Sequence, residues 1–541
     1  MMSNPTEGED WWKSAVIYQI YPASFNDSDG DGFGDLRGIV QKLDYLTWLG
    51  VDAIWLSPIF QSPMFDMGYD VSDYLAIHPS FGNLEDFKEL VSEAHKRKIR
   101  IILDLVLNHT SIEHPWFQES RLSENNPKRD WYIWRNGPTL RKPNNWKSLY
   151  GGSGWTYDKA TRQYYFHTFF RQQPDLNWRN PELRSYFFSV MRFWLDLGID
   201  GFRLDAINVL VKDPEFRDAQ PSLLAQLLGK ENYVTRNQPE TYQIILELRE
   251  VADEYKGIML VGEIYTLPPG NHRLVASYLT NTVNLLHLAF NFSLIFSRWS
   301  AKRFSSIIGK WMDSIPVEAW PCNVLSNHDL NRSIGSDWLK SSSDDKAKVM
   351  ATLLLTLKGT PFIYYGEEIA MRNAWIPKRK IKDPLGKRFW PIYQGRDCSR
   401  TPMRWNNSKN EGFSTGEPWL PVYSDNTERN VLNQMNYNNS ILLFYHKLLA
   451  LRKSSLCLLY GEWNACIIDG KNVLAYYRYT LEEKILIILN FSNRQRHIHL
   501  KDELDGCILI STHRRADEQI KATFIVLFPY ESTVILIRTN D

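Results

Sequence analysis

The chain has 541 residues, is 43% hydrophobic and carries a formal net charge of +1 at pH 7. Its length exceeds that of one ordinary domain and suits a barrel with insertions together with a smaller domain. The near-zero net charge gives no electrostatic reason to expect nucleic acid or an anionic membrane as a partner.

Cysteine usage and the absence of targeting signals indicate the compartment. The number of cysteines is odd and their spacing matches no metal motif, so we expect free thiols in a reducing compartment. The polar, acidic N-terminus lacks the basic and apolar regions of a secretory signal, and no apolar run approaches the ~20 residues of a membrane span. We therefore expect a cytoplasmic protein. The cysteines are Cys322, Cys398, Cys457, Cys466 and Cys507.

An aspartate-rich loop follows the first predicted strand, residues 15–20. Aspartates occupy its first, third and fifth positions and a glycine the sixth, as in the first half of a calcium loop. The twelfth position is Gly38 instead of a bidentate glutamate, which argues against an EF-hand. The loop therefore either binds a divalent ion or is a turn held by aspartate side-chain hydrogen bonds. The candidate ligands are Asp27, Asp29, Asp31, the carbonyl of Phe33, and Asp35.

Short apolar runs alternate with helical patterns along most of the chain, which is typical of a parallel sheet. Seven further barrel strands are predicted at residues 51–56, 100–107, 201–204, 257–260, 283–290, 321–325 and 361–365. Helices are predicted at residues 36–49, 83–98, 181–197, 240–255, 344–357 and 439–451. Residues 110–178, rich in Trp, Tyr, Gly, Pro and Asn, break the alternation and indicate a functional insertion. Short β-rich runs after residue 455 predict an antiparallel sandwich.

Charged residues follow several of these buried strands, which is unusual because an unpaired buried charge is costly. Asp104, Asp205, Glu263 and Asp329 each lie near the end of such a run. Carboxylates at the carboxyl ends of parallel strands are how a (β/α)₈ barrel builds an active site. For Arg203 and Asp205 alone, a charge pair that holds a loop is an equally good interpretation.

Four motifs resemble, in order, those of the α-amylase superfamily of glycoside hydrolases (glycoside hydrolase family 13). They are Asp-Leu-Val-Leu-Asn-His (104–109), Gly-Phe-Arg-Leu-Asp-Ala (201–206), Val-Gly-Glu-Ile-Tyr (261–265) and Ser-Asn-His-Asp (326–329). Gln-Pro-Asp-Leu-Asn (173–177) resembles the extra motif of the oligo-1,6-glucosidase and α-glucosidase branch.

The resemblance implies an α/β fold with three domains. These are a (β/α)₈ TIM barrel formed by residues 1–109 and 179–455, an inserted domain B after strand 3 at residues 110–178, and a C-terminal antiparallel β-sandwich domain at residues 456–541.

The resemblance also implies the chemistry. Asp205 would be the nucleophile, Glu263 the general acid and then base, and Asp329 the third carboxylate, which grips sugar hydroxyls. Arg203 would keep Asp205 ionised, and Arg400 would face Asp66 across the sugar. Catalysis needs no cofactor, although related enzymes hold a structural Ca²⁺ or Mg²⁺ in a loop like that at Asp27. The other expected sugar contacts are Tyr69, His109, Tyr150, Phe169, Ala206 and His328.

The function that the resemblance implies best is a retaining, exo-acting α-glucosidase acting on a small-molecule α-glucoside, with transglucosylation as an accompanying reaction. The small Ala206 after the nucleophile favours α-1,4 over α-1,6 bonds. The alternatives are an oligo-1,6-glucosidase and a sucrose- or trehalose-directed isomerase or transglucosylase. A non-catalytic transporter-associated chain would have a membrane span and no catalytic carboxylates. We expect a monomer or a homodimer.

Overall fold

A computed structural model describes residues 8–137, 141–219, 234–266, 270–281, 283–333, 344–422, 428–466 and 471–538. Eight parallel strands close into a barrel, which confirms the predicted fold class. β8 pairs with β1, for example Phe362 with Ile17, and so closes the cylinder. The strands are β1 (Ile17–Ile20), β2 (Ala53–Leu56), β3 (Arg100–Val106), β4 (Gly201–Asp205), β5 (Met259–Gly262), β6 (Leu288–Asn291), β7 (Cys322–Val324) and β8 (Thr360–Tyr364).

Helices surround the barrel and begin close to where the sequence predicts them. Asn83 caps one of them with a capping box, because its side chain accepts from Glu85 and Asp86. The single helix predicted over residues 36–49 is two helices, interrupted where Asn26 of the acidic loop donates to Gln41 Oε1 at 3.0 Å. The principal helices are Leu36–Val40, Leu43–Leu49, Leu84–Lys96, Pro181–Asp196, Glu240–Asp253, His272–Ala276, Ala301–Met312, Asp344–Thr356 and Ile441–Ser454.

The prediction for the sixth strand is wrong at its start. β6 begins at Leu288, whereas Val283–Asn284 pairs with Thr280–Asn281 in a separate two-stranded piece. The Leu285 amide also donates back to the Leu279 carbonyl, at 2.9 Å. The apolar run therefore continues from this hairpin into the barrel, and composition alone does not mark the boundary between them.

The insertion after β3 forms a small antiparallel unit above the barrel. It contains the helix Pro115–Ser120 and the strands Trp134–Arg135, Trp155–Tyr157 and Tyr164–Phe166. Ile133, Trp146, Trp155 and Phe166 form its buried apolar cluster. A bridge between His109 and Asp175 ties the end of the insertion to the end of β3, so this unit lies beside the carboxyl ends of the barrel strands.

The C-terminal antiparallel domain is confirmed, but its described strands form one six-stranded sheet instead of the two separate sheets of a sandwich. The reason is that β14 pairs with both β11 and β12. The strands are β9 (Glu462–Ala465), β10 (Val473–Tyr479), β11 (Lys484–Asn490), β12 (Arg496–Ser511), β13 (Gln519–Leu527) and β14 (Ser532–Ile537). Among the described helices, none combines the length and the apolar character that crossing a membrane requires.

Candidate active site

A cavity of about 340 Å³ opens at the carboxyl ends of the barrel strands. Many of the predicted site residues line it, whereas Arg203, His328 and Arg400 lie behind its wall. The predicted lining residues are Asp66, Tyr69, His109, Tyr150, Phe169, Asp205, Ala206, Glu263 and Asp329. Three further lining residues belong to the family-like motifs but had no predicted role, namely Gln173, Tyr265 and Asn327. The lining residues outside the motifs and the predictions are Leu149, Val209, Phe292, Leu330, Leu385, Tyr393 and Arg396.

One buried guanidinium connects the carboxylates of three neighbouring strands. Arg203 Nη1 donates to Asp205 Oδ1 at 2.6 Å and to Asp104 Oδ1 at 2.7 Å. Its Nη2 donates to Glu263 Oε2 at 2.6 Å. The same Glu263 oxygen accepts from the Ala206 amide at 3.1 Å. Because β3, β4 and β5 are adjacent in the barrel, residues far apart in sequence meet at this one side chain.

The charge balance around Arg203 favours the retention of protons. Burial raises the pKa of Asp205 to about 7, although Arg203 opposes the shift. Burial likewise raises the pKa of Glu263 to about 7, again against Arg203. Burial raises the pKa of Asp104 to about 6. Three carboxylates that share one positive charge cannot all ionise easily, so this cluster holds a proton near neutral pH.

Asp329 stands apart as the ionised carboxylate of the cavity. Arg400 Nη2 donates to its Oδ1 at 3.0 Å, Arg396 Nη1 does so at 3.3 Å, and His328 Nε2 lies 3.2 Å from Oδ2. Burial opposes ionisation, yet a hydrogen bond from His328 and the charges of Arg396 and Arg400 hold the pKa of Asp329 well below its usual range. The cavity therefore combines a proton-holding carboxylate cluster with a fixed negative charge.

His328 is held as a neutral, oriented ring. It stacks on Tyr69, with ring centroids 5.3 Å apart and an angle of 4° between the planes. Gln19 Nε2 lies 2.6 Å from His328 Nδ1, and the Tyr69 hydroxyl lies 2.5 Å from its Nε2. Burial lowers the pKa of His328 to about 4, so the imidazole is neutral near pH 7. The Tyr69 hydroxyl also donates to Asp104 Oδ2, at 3.0 Å.

The expected arrangement of Asp66 and Arg400 is corrected. Arg400 does not contact Asp66; its Nε donates to the His328 carbonyl at 2.8 Å and its Nη2 to Asp329. The guanidinium on Asp66 is that of Arg396, which also contacts Asp383 at 2.8 Å. Gln173 Nε2 donates to the other oxygen of Asp66, at 3.0 Å. The signal for Arg396 in the sequence is only its position, four residues before Arg400.

The remaining predicted residues form an aromatic wall. His109 Nε2 lies 3.0 Å from the Tyr69 carbonyl, and the Phe169 ring meets the His109 ring edge-on at 5.1 Å between centroids. Tyr150 packs against Phe169 at 5.6 Å. Burial lowers the pKa of His109 to about 4, so this ring is neutral as well. Such a wall offers apolar ring faces to the C–H faces of a sugar.

The acidic loop brings together three of its five candidate ligands. Carboxylate oxygens of Asp27, Asp29 and Asp35 all lie within 4.8 Å of one another. Asp31 instead accepts from the Phe33 amide at 2.7 Å, and Asp27 Oδ2 accepts from the Gly32 amide at 2.8 Å. Aspartate side chains thus accept hydrogen bonds within the turn, as the turn interpretation expects. The three clustered carboxylates also form an all-oxygen set of the kind that a hard cation prefers.

Fold and site together define a barrel enzyme whose paired carboxylates suit glycoside chemistry. Residues 19–461 match the family described as "Alpha amylase, catalytic domain", and residues 473–534 match the "Alpha-amylase SusG C-terminal domain". The chain belongs to the α-amylase family of glycoside hydrolases, glycoside hydrolase family 13.

Relatives refine this assignment to a branch. The chain is 40% identical to the oligo-1,6-glucosidase of Parageobacillus thermoglucosidasius, over 98% of this chain and 99% of the relative. It is 41% identical to a "Probable alpha-glucosidase" of Rhizobium meliloti (strain 1021), over 90% of each chain. The solved trehalulose synthase MutB from Pseudomonas mesoacidophila MX-45 is similar at a TM-score of 0.90 and 35% identity, covering 98% of this chain and 99% of that one. The chain is a glycosidase of the oligo-1,6-glucosidase and α-glucosidase branch.

Proposed function

We propose that this glycosidase is a retaining, exo-acting α-glucosidase that releases glucose from maltose and short oligosaccharides. The observation that carries the proposal is the fork of Arg203, which holds Asp205 and Glu263 on its two terminal nitrogens. Retaining enzymes place their two carboxyl groups roughly 5–5.5 Å apart, and binding to the two ends of one guanidinium keeps this pair as near neighbours. This proximity supports direct attack by a carboxylate.

In the proposed reaction the two carboxylates divide the work. Asp205 attacks the anomeric carbon while Glu263 donates its proton to the departing glycosidic oxygen. A water then enters, Glu263 takes its proton, and the oxygen displaces Asp205 with a second inversion. The raised pKa of Glu263 supports its role as the acid. Asp329, whose pKa is held low, would be ionised, accept hydrogen bonds from sugar hydroxyls and stabilise positive charge on the ring.

The exo mode rests on how the cavity is closed. Arg396 links Asp66 to Asp383, and Gln173 holds the second oxygen of Asp66. We infer that these side chains form the blind end of the cavity and bind the hydroxyls of a non-reducing glucose. A chain interior could not pass through such a closed end, so cleavage would remove terminal units.

Different observations bear on which glycosidic bond is cleaved and on which molecule receives the glucosyl group. The small Ala206 in the cavity wall supports a preference for α-1,4 bonds. The name of the Parageobacillus relative supports α-1,6 specificity as a second candidate, and the trehalulose synthase structure supports transfer or isomerisation as a third. Product analysis on maltose, isomaltose, sucrose and trehalose separates them, because hydrolysis releases glucose and isomerisation returns a disaccharide.

Trapping the intermediate tests the core of the proposal. A slow fluorinated α-glucosyl donor should label the peptide that contains Asp205, and α-glucose should be the first-formed product. Asp205→Asn should lower kcat by several decades while circular dichroism stays unchanged. Label on another residue, or β-glucose as the first product, would contradict a retaining path through Asp205.

We also propose that the loop at Asp27 holds a structural Ca²⁺ or Mg²⁺. Asp27, Asp29 and Asp35 would supply carboxylate oxygens, which both hard cations prefer. Bound there, the ion would offset the repulsion among these carboxylates, and it would take no part in the glycosidic chemistry. The loop contacts the segment near Phe413, since the Asp27 amide donates to the Phe413 carbonyl at 3.0 Å.

A further inference from the structure

The loop after β8 carries an unusual concentration of positive charge. Residues 378–388 read Lys-Arg-Lys-Ile-Lys-Asp-Pro-Leu-Gly-Lys-Arg, and the acidic residue among them, Asp383, is buried against Arg396. Lys380 is neutralised by Glu417, at 2.7 Å. Lys387 and Arg388 are exposed, and neither forms an ion pair within the described chain. We call Lys387 and Arg388 the basic rim.

Arg388 of the basic rim lies at the mouth of the catalytic cavity, and Lys387 precedes it on the short helix Pro384–Phe389. Leu385 and Tyr393, on the same loop, line the cavity itself. Arg388 Nη1 donates to the carbonyl of Tyr150 at 3.1 Å, and Tyr150 belongs to the opposite, inserted unit. The guanidinium therefore spans from the β8 loop to the insertion, directly outside the wall of the cavity.

Space is left beside this guanidinium. Gly151 and Gly152 both adopt left-handed φ values, +87° and +86°, which favour glycine. A Cβ built on either one would approach no described atom except Arg388 Nη2, at 4.0 Å. Two consecutive residues without side chains thus face a charged group whose Nε and Nη2 form no hydrogen bond or ion pair with the described residues. The exposed Phe389 ring packs against the same guanidinium, 5.1 Å from its central carbon, and the exposed Tyr393 lines the cavity.

We propose that this mouth binds α-glucosides whose leaving group carries an anionic carboxyl or phosphoryl group, held by Arg388 and Lys387. With the glucosyl ring at Asp205 and Glu263, the leaving group must emerge through the mouth. A guanidinium fork matches either anion in two-point geometry, and a neighbouring ammonium adds attraction. The inference rests on the proposed function, because it assumes that the glucosyl ring occupies the cavity during hydrolysis.

Matched aryl glucosides test the proposal. Hydrolysis of 4-carbamoylphenyl, 4-carboxyphenyl and 4-phosphonophenyl α-D-glucosides gives kcat/KM for one neutral and two anionic leaving groups of similar shape. The measured quantity is the ratio of anionic to neutral kcat/KM in the parent protein, in Arg388→Glu and in Lys387→Glu. Arg388→Lys keeps the charge but removes the fork. Lys521→Glu, at an exposed lysine of the C-terminal sheet, is the matched charge control.

The expected result is a ratio that falls about five- to tenfold in each glutamate variant and stays at the parent value in Lys521→Glu. Raising the salt concentration from ~0.02 to ~0.3 M shortens the Debye length and screens the charges of the rim. In the parent protein, kcat/KM should therefore fall more for the anionic glucosides than for the neutral glucoside. If the ratio falls for only one of the two anionic glucosides, that substrate identifies whether the rim binds a phosphoryl or a carboxyl group. A ratio unchanged in both glutamate variants overturns the inference. If the parent protein does not hydrolyse even the neutral 4-carbamoylphenyl glucoside, the proposed function is overturned instead.

Discussion

At the scale of single residues, the protonation of Glu263 controls the first chemical step. Since burial raises its pKa to about 7, the acid form is present below that pH and is lost as the pH rises through it. We therefore expect kcat/KM on maltose to fall above pH ~7. Initial rates measured between pH 5 and pH 9 show this fall, which is the basic limb of the pH profile.

The variant Glu263→Gln distinguishes this residue from its neighbours. It should lose hydrolysis of maltose, yet still react with α-glucosyl fluoride, whose leaving group needs no protonation. The rate of that reaction should no longer fall at alkaline pH. Added azide should then release α-glucosyl azide, because it replaces the water that needs a general base. A basic limb that persists in the variant would assign the titration to another group of the Arg203 cluster.

Ala206 is a second residue with a measurable role, because it lines the cavity and follows the nucleophile. Its backbone is left-handed, with φ of 43°, a conformation that disfavours β-branched side chains. We expect Ala206→Val to shift the ratio of kcat/KM on isomaltose to that on maltose upward by roughly 1–3 kcal/mol. Ala206→Ser, which adds no branch, should leave the preference for maltose in place.

Using a ratio removes the effect of backbone strain, which lowers both rates together. Rates on α-glucosyl fluoride give that common loss directly. If the parent protein already prefers isomaltose, or if Val leaves the ratio unchanged, the side chain at position 206 does not set the linkage, and the aromatic wall at Tyr150 becomes the next candidate.

The predictable part of the site is the part carried by strands. Asp205, Glu263 and Asp329 end buried apolar runs, and closure of the barrel then brings them together. Arg396 was missed because it and Arg400 lie in one irregular loop, where no periodicity tells which guanidinium reaches Asp66. Asp104 lies in one of the family-like motifs, but its contact with Arg203 depends on the pairing of β3 with β4.

At the scale of elements, the acidic loop is expected to owe its order to a bound ion. Three carboxylates within 4.8 Å repel one another unless a cation or protons neutralise them. Chelator should therefore lower the melting temperature of the parent protein, and Asp29→Ala should abolish that chelator effect. Thermal denaturation with and without chelator is the measurement, with Asp10→Ala as the control at an exposed aspartate.

Elemental analysis accompanies this experiment, because a very tightly held ion would resist the chelator. Protein that contains no stoichiometric divalent metal and melts identically with chelator would leave the loop as a turn. The hydrogen bonds that backbone amides donate to its aspartates, such as Gly30 N–H to Asp27 Oδ1 at 2.7 Å, would then hold the loop.

Element boundaries show where sequence patterns lose information. The helix at Leu84–Lys96 is found almost as predicted, because Asn83 and Asp86 supply a recognisable cap. The start of β6 depends on the hairpin that precedes it, and the break in the first helical region on a contact with Asn26. Periodicity reports neither of these contacts. The C-terminal strands were recognised by composition, but their union in one sheet depends on the pairing of β14 with β11 and β12.

At the scale of the whole molecule, the barrel and the C-terminal sheet share one apolar core. Leu474, Ile487 and Val534 of the sheet belong to the same buried cluster as the barrel helices. Polar contacts cross the same boundary, since the Thr352 hydroxyl of the helix before β8 donates to Ser532 at 2.9 Å. We therefore expect calorimetry to show one unfolding transition for both regions.

Arg478 is the residue that tests this coupling most directly. It is fully buried, and its Nη1 donates to the Thr356 carbonyl at 2.7 Å while its Nη2 donates to the Gly461 carbonyl at 2.8 Å. Arg478→Met keeps much of the volume but leaves both acceptors without their donor, at a cost of about 1–3 kcal/mol for each. The single transition should move to lower temperature as a whole, whereas Arg538→Met, at a side chain 59% exposed, should not move it. Separation into two peaks, of which only one responds to Arg478→Met, would show instead that the C-terminal sheet unfolds independently of the barrel.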